Sequence, residues 1–206
     1  MLKEDCRLRR GVQYGSKTSS IGELRYPKTV VVATGIAVLA VTAQPAFAGE
    51  TSVTLHEVTK DGFSKEIGRV QLEDSEYGLL ITPDLTGVEP GLHGLHVHQN
   101  PDCGPVNKDG DVIPGGAAGG HYDLKDTDQH TGPYGDGHLG DLPNVMVEPD
   151  GSVSIPVLAP RVKVADVKGR SLMIHAGADR YSGHMQHSHG KGGTRMYCCG
   201  VDRIDG

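Results

Sequence analysis

Residues 99–141 run for 43 positions with two Gly-Gly pairs, several Pro and Asp, and no alternation of apolar with polar side chains. That is far beyond the roughly 12–15 residues at which structureless loops become uncommon in compact domains. With no apolar pattern to bury, the stretch needs some other source of order, and its His and Asp content points to metal. Around it the chain reads as short strands. Val53 and Leu55 alternate with polar neighbours, as do Val70 and Leu72, and Leu80 lies in a further apolar run. Residues 92–98, 171–175 and a last segment around 198–203 complete the set. Val145 and Val147, the turn Pro149-Asp150-Gly151, then Val153, Ile155 and Val157 predict a hairpin. No window of a dozen residues sustains a helical period. The expected fold class is all-β, an antiparallel barrel or sandwich.

The first 48 residues read as a separate export region. An uncharged run at 29–43 follows Arg7, Arg9, Arg10, Lys17, Arg25 and Lys28 and precedes Ala46-Phe47-Ala48, a small-x-small cleavage pattern. Fifteen apolar residues fall short of the roughly 20 that a spanning helix needs. Cleavage near Ala48 is therefore expected, with residues 49–206 as one domain that is periplasmic or secreted and has no stable membrane span. The basic segment is long for an export signal, so its true start is left open.

The exported body would carry 13 Lys and Arg against 23 Asp and Glu, together with all 11 His. Nucleic acid is excluded as the main partner, because phosphate binding needs clustered cations and the body has no such cluster. Cys6 would leave with the leader, whereas Cys103, Cys198 and Cys199 remain. An oxidising destination favours a disulfide among them.

The candidate chemistry lies in the histidines. On a strand, His96 and His98 point to one face about 6.6 Å apart, so both can meet one ion. His93, at odd spacing from His96, is expected to hydrogen-bond a loop instead. His121, His130, His138 and Asp141 supply three imidazoles and a carboxylate, a set that suits zinc. His175 ends an apolar strand and can complete a site with His96 and His98. Asp179, four residues on, is the candidate carboxylate that fixes ligand imidazoles.

In order, GLHGLHVHQNPDC, GGHYD, GDGHLGDLP, SLMIHAGAD and CGV resemble the signatures of the copper-zinc superoxide dismutases, closest to the exported bacterial branch. The resemblance spans residues 51–201. It implies an eight-stranded Greek-key β-barrel with long metal-binding and electrostatic loops, and one copper and one zinc ion per subunit. It also implies disproportionation of superoxide to O2 and H2O2, protecting the cell from extracytoplasmic superoxide. Copper would take His96, His98, His121 and His175, and zinc would take His121, His130, His138 and Asp141. His121 would then be shared, and Asp179 would link a copper-side to a zinc-side histidine. A metal carrier on the same fold is the rival class; it has no need of a complete zinc bridge.

The resemblance further places one Arg beside copper to guide the anionic substrate, and the expected residue is Arg195. The family pattern Arg-x-x-Cys-Gly is here one residue longer, from Arg195 to Gly200. Counting from the Arg pairs Cys103 with Cys198, whereas counting back from Gly200 pairs it with Cys199. Cys199 is the expected partner and Cys198 the alternative; strand parity keeps them from facing the same way. His184, His187 and His189 lie in what the family uses as the electrostatic loop, either as an auxiliary metal site or as solvated imidazoles. Lys191 could add to steering. Exported relatives occur as monomers and dimers, so a homodimer is one of the open alternatives.

Overall fold

In β1 (Glu50–Thr59), Thr51, Val53 and Leu55 are buried at alternate positions, and this period sets one face of an antiparallel meander with β2 (Gly62–Ser75) and β3 (Gly78–Leu85). In β2 the buried parity changes between Ile67 and Val70. The pairing accounts for this: Leu55 opposes Gly68 and His56 opposes Glu66, leaving Ile67 as the extra residue of a bulge. Gly68 has φ +130°, and a Cβ there would run into the Asp84 carbonyl, so glycine is required. The computed structural model describes residues 49–182 and 192–201. The export region with Cys6, the His184, His187 and His189 run, and Lys191 lie outside the described residues.

The remaining strands are β4 (Gly91–His93), β5 (Leu95–His98), β6 (Val106–Lys108), β7 (Asp111–Ile113), β8 (Val145–Val147), β9 (Val157–Ala159), β10 (Arg170–His175) and β11 (Arg195–Val201). A one-turn helix, α1 (Val164–Val167), precedes β10. Seven strands form one antiparallel sheet in the order β5-β10-β11-β1-β2-β3-β9, and β4 pairs with β8. β4 and β5 are one strand interrupted at Gly94. Leaving aside the β6–β7 ribbon, this gives the eight strands of the expected curled Greek-key architecture, with connections β3 to β4 and β8 to β9 crossing between distant strands. Leu55, Leu72, Leu79, Ile81, Leu95, Leu142, Leu172 and Ile174 fill the interior, each 1% exposed or less. Each such side chain contributes about 1.5–3 kcal/mol relative to exposure. Among the described residues no helix is long and apolar enough to cross a membrane.

Three expectations need correction. The predicted hairpin around Asp150-Gly151 has its turn, closed by Glu148 N–H to the Ser152 carbonyl at 2.9 Å, but its arms pair with different strands. β8 joins β4, Val153 bridges Leu85, and β9 joins β3. A period-2 pattern fixes which face is buried but not which neighbour a strand takes. Residues 99–141 also contain regular structure, namely the β6–β7 hairpin and a 3-10 turn at Gly116–Ala118. Asp109 and Gly110 link the hairpin with φ of 55° and 92°, as an Asp-Gly two-residue turn does.

The third correction concerns the disulfide, which joins Cys103 to Cys198 rather than to Cys199. Ile174 opposes Tyr197 whereas His175 opposes Arg195, so Met196 is the extra residue of a bulge in β11. The bulge puts Arg195 and Cys198 on the same face, opposite His175 and Met173, although they are three apart in sequence. Cys198 therefore packs with Cys103, Ala118, Val58 and Met173 against the long loop. Cys199 faces the opposite way, into the main core.

The bridge spans 95 positions. Cys103→Ser should lower the unfolding free energy by about 2–4 kcal/mol, seen as a lower urea midpoint. Mass analysis of non-reduced peptides should recover a Cys103–Cys198 link; a Cys103–Cys199 link would contradict this register.

Candidate metal centre

The centre is assembled on both edges of β5. On one edge β10 pairs with it in a register that sets Met173 opposite His96 and Ser171 opposite His98, and His175 lies at the end of β10. On the other edge the middle and the end of the long loop add short bridges, His98 with His121 and His96 with Asp141. Val97 carries these bridges, donating to the Gly140 carbonyl (2.9 Å) and accepting from Tyr122 N–H (2.8 Å). Sheet register alone thus brings residues from three distant parts of the chain together. His93 turns away, its ring nitrogens 2.7 Å from the His175 carbonyl and 2.8 Å from that of Glu89, the loop-bonding role expected from its spacing.

Two groups result: His96, His98, His121 and His175, and His121, His130, His138 and Asp141. Within each, one donor atom per residue lies within 4.8 Å of the others. All of the residues singled out from the sequence for these groups are in them. Asp179 lies between the groups, accepting from His96 Nε2 (2.7 Å) on one oxygen and from His130 Nε2 (2.8 Å) on the other.

The outer hydrogen bonds fix the tautomers. His98 Nδ1 donates to the Gly119 carbonyl and His175 Nδ1 to the Gly193 carbonyl, both at 3.0 Å. Each is then left with a lone pair on Nε2, and those two atoms face each other at 3.3 Å. Two acceptors so placed repel unless a cation lies between them. His96, bonded outward through Nε2, leaves Nδ1 buried without a partner. His130 Nδ1 lies 2.9 Å from Asp141 Oδ1, and His138 Nδ1 lies 3.4 Å from it, yet neither is aligned to donate. Inward lone pairs and orphaned buried nitrogens are what metal ligands look like. The donor sets fit copper, which suits four imidazoles, and zinc, which suits three imidazoles with a carboxylate.

The electrostatics divide the same way. Burial, reinforced by the charge on His121, holds His96 and His98 well below the ordinary imidazole value; burial lowers His121 too and brings His175 to about 4. Burial also opposes charge on His130, but the two carboxylates beside it, Asp141 and the hydrogen-bonded Asp179, outweigh it and raise its pKa to about 9. Burial opposes charge on both carboxylates as well, yet their imidazole partners hold Asp141 and Asp179 below the usual range.

Arg195 stands beside the first group, sharing with His98 the Gly119 carbonyl. It donates to the Gly115 carbonyl (2.7 Å) and to the Gly119 carbonyl (2.5 Å), the latter being the oxygen that also anchors His98. With Thr194, Gly193 and Lys108 it lines a cleft of about 570 Å³. The sequence does not single out Lys108, because a lone Lys beside an Asp-Gly turn carries no signal. Asn144 escapes notice for the same reason. Its side chain pairs with both main-chain groups of Asp179, donating to the carbonyl (2.9 Å) and accepting from N–H (2.8 Å).

The family model for copper/zinc superoxide dismutase matches residues 66–201. The chain is 47% identical over 160 residues to the Cu-Zn superoxide dismutase of Brucella abortus, covering 77% of this chain and 91% of that protein. It is 54% identical over 137 residues to the one from Actinobacillus pleuropneumoniae, covering 66% and 72%. The solved structure of the Brucella abortus protein matches with a TM-score of 0.72 at 44% identity, covering 75% of this chain and 100% of that one.

The pKa directions give the metal-free protein a defined pH profile. His96, His98, His121 and His175 have folded values below 6.5, so the unfolded chain binds more protons and stability is lost as pH falls from 6.5 towards 4. His130 acts oppositely: its contribution is complete below 6.5 and is lost as pH rises through about 9. The urea midpoint of the metal-free protein should peak near pH 6.5 and fall more steeply on the acid side. A midpoint that is flat from pH 5 to 9 would contradict the buried-imidazole assignment.

Proposed function

Since the chain belongs to the copper/zinc superoxide dismutase family and is an oxidoreductase that uses copper and zinc, we propose that His121 is shared between the two metals. His96, His98 and His175 complete the copper set, and His130, His138 and Asp141 complete the zinc set. The observation that carries this reading is the membership of His121 in both groups of donors. Its Nδ1 lies 2.9 Å from Asp141, which leaves Nε2 for the other group.

Two superoxide anions and two protons give O2 and H2O2. Bound copper supplies the one-electron chemistry, and bound zinc supplies charge and geometry without redox change. The protein must bring the anion in and deliver a proton. His121 is the group suited to proton delivery, because a ring tethered at Nδ1 can hold a proton at Nε2 and pass it to reduced oxygen. Arg195 draws in the anion, presenting a guanidinium at the cleft with N–H groups beyond those used on Gly115 and Gly119. Asp179, with one oxygen on each half, keeps His96 and His130 in the tautomer that directs Nδ1 inward. The acidic body favours a small anion met by local cations over nucleic acid.

The site of action follows from the leader pattern. Residues 1–48 act as an export signal cleaved near Ala48, and residues 49–206 work in the periplasm or outside the cell, where the Cys103–Cys198 bond is stable. The chain thereby removes superoxide that the cytoplasm does not reach.

Superoxide loss catalysed by the copper- and zinc-loaded protein should fall more than about 100-fold in His121→Ala, because outer partners of ligands alone cost 10–100-fold. The same variant should bind both metals more weakly; unchanged affinity for either would refute the shared ligand. Arg195→Ala should slow the loaded enzyme about ten-fold and flatten its decline with added salt. Steering, for which superoxide dismutase is itself a standing example, changes encounter rates by about 10–10³. Rates for Arg195→Ala equal to wild type at low ionic strength would remove the anion-guiding role.

A further inference from the structure

We infer that Arg161 is a positioning residue for the zinc half of the centre, holding His130 and His138 in place through the main chain between them. The inference rests on the zinc assignment of His121, His130, His138 and Asp141 proposed above.

Arg161 follows β9 and Pro160 and is partly buried. Its guanidinium reaches four carbonyl oxygens in the segment that separates His130 from His138. Nε donates to Pro133 (3.0 Å), Nη1 to Gly137 (3.2 Å), and Nη2 to both Gly132 (3.0 Å) and His138 (2.7 Å). These acceptors lie 23 to 29 positions earlier in the chain, so the contact ties the loop to the barrel.

Four main-chain carbonyls turned towards one point repel one another, and each needs a donor. The loop's own donors serve only two of these oxygens, and at long range: Gly135 N–H lies 3.4 Å from the Gly132 carbonyl and Asp141 N–H 3.4 Å from that of His138, whereas Gly137 N–H goes to Thr131 Oγ1 (2.7 Å) and His138 N–H to the Gln129 carbonyl (2.8 Å). A planar fork with five N–H groups can serve four oxygens at once, whereas an ammonium is a point charge with three. Arg161 meets no imidazole of the set with its hydrogen bonds, and its link to His138 is through that residue's carbonyl. Its action is therefore on where the His130 and His138 Nδ1 atoms stand relative to Asp141, now 2.9 and 3.4 Å away.

The two halves differ in how much they need such help. His96, His98 and His175 are set by β5 and β10, whose register is fixed by ladder bonds. His130 and His138 sit on irregular backbone. Loss of Arg161 should consequently weaken zinc while leaving the copper half intact, a split that a general loss of stability would not produce.

The test uses the metal-free full-length protein, titrated separately with Zn²⁺, Co²⁺ and Cu²⁺ against a competing chelator. Arg161→Ala should bind Zn²⁺ about 10–100-fold more weakly, the range typical of residues that orient ligands. The visible absorption of Co²⁺ at the zinc site should shift, and Cu²⁺ affinity should stay at the wild-type value. Arg161→Lys should recover part of the loss, and it carries the comparison if the alanine variant does not fold. Wild-type Zn²⁺ affinity and an unchanged Co²⁺ spectrum in both variants would overturn the inference. So would equal weakening of Zn²⁺ and Cu²⁺ alongside a lower melting temperature of the metal-free protein. His138→Ala separates the two levels: if it binds Zn²⁺ as wild type does, the zinc assignment itself is at fault; if it loses Zn²⁺ while the Arg161 variants do not, the role of Arg161 alone fails.

Discussion

Two carboxylates, Asp141 at 1% exposure and Asp179 at 4%, are buried among six imidazoles. An ionised carboxylate out of water is costly unless it is paired and hydrogen-bonded. Here each is met by several rings, and the pairing dictates which nitrogen of each ring is a donor. Asp179 takes Nε2 of His96 and of His130 and so turns both Nδ1 lone pairs inward. Carbonyls of Gly119 and Gly193 do the same for His98 and His175 through the opposite nitrogen. The result is a set of lone pairs aimed at common points, an arrangement that repels itself unless cations are present.

This demand explains why the fold is built as it is. A loop with no apolar pattern cannot hold donors within a few ångströms by hydrophobic packing, so its middle, at His121 and Tyr122, and its end, at Gly140 and Asp141, are hydrogen-bonded to the free edge of β5. Cys103–Cys198 pins the part before His121, and Arg161 the part between His121 and Asp141. Asn144 then secures Asp179 from the far side. The disulfide and Arg161 meet the loop at different places, and neither they nor Asn144 belong to the two donor groups.

Legibility from the sequence follows the same division. The ligand set is readable because metal binding accounts at once for imidazoles at strand spacing and for imidazoles in a Gly-rich stretch that hydrophobic burial cannot order. His96, His98 and His175 also lie on strands whose alternation is visible. The Cys198 pairing is not readable, because one inserted residue can be absorbed on either side of the cysteines. The Met196 bulge makes that choice, and it is a property of the pairing with β10. The hairpin expected at Asp150-Gly151 fails for a related reason: alternation names a face and leaves the partner strand undetermined. Arg161 leaves no trace at all, since a side chain that binds main-chain carbonyls places no demand on the identity of the residues it holds.

The contrast between the halves also bears on how the centre forms. On the proposed assignment the copper-side nitrogens other than that of His121 come from β5 and β10, which exist as soon as the sheet does. The proposed zinc-side donors come wholly from residues 121–141, where backbone order and metal binding would be coupled, because a site absent from the unfolded loop makes binding energy into folding energy. His121 belongs to both sets, yet its backbone is held on β5 by the bridge to His98 and by Tyr122 N–H to the Val97 carbonyl (2.8 Å), so the copper half keeps this donor when the rest of the loop loosens. In the metal-free chain His130, lying between Asp141 and Asp179, has its pKa raised to about 9 and so holds a proton at neutral pH that offsets part of the charge of the two carboxylates.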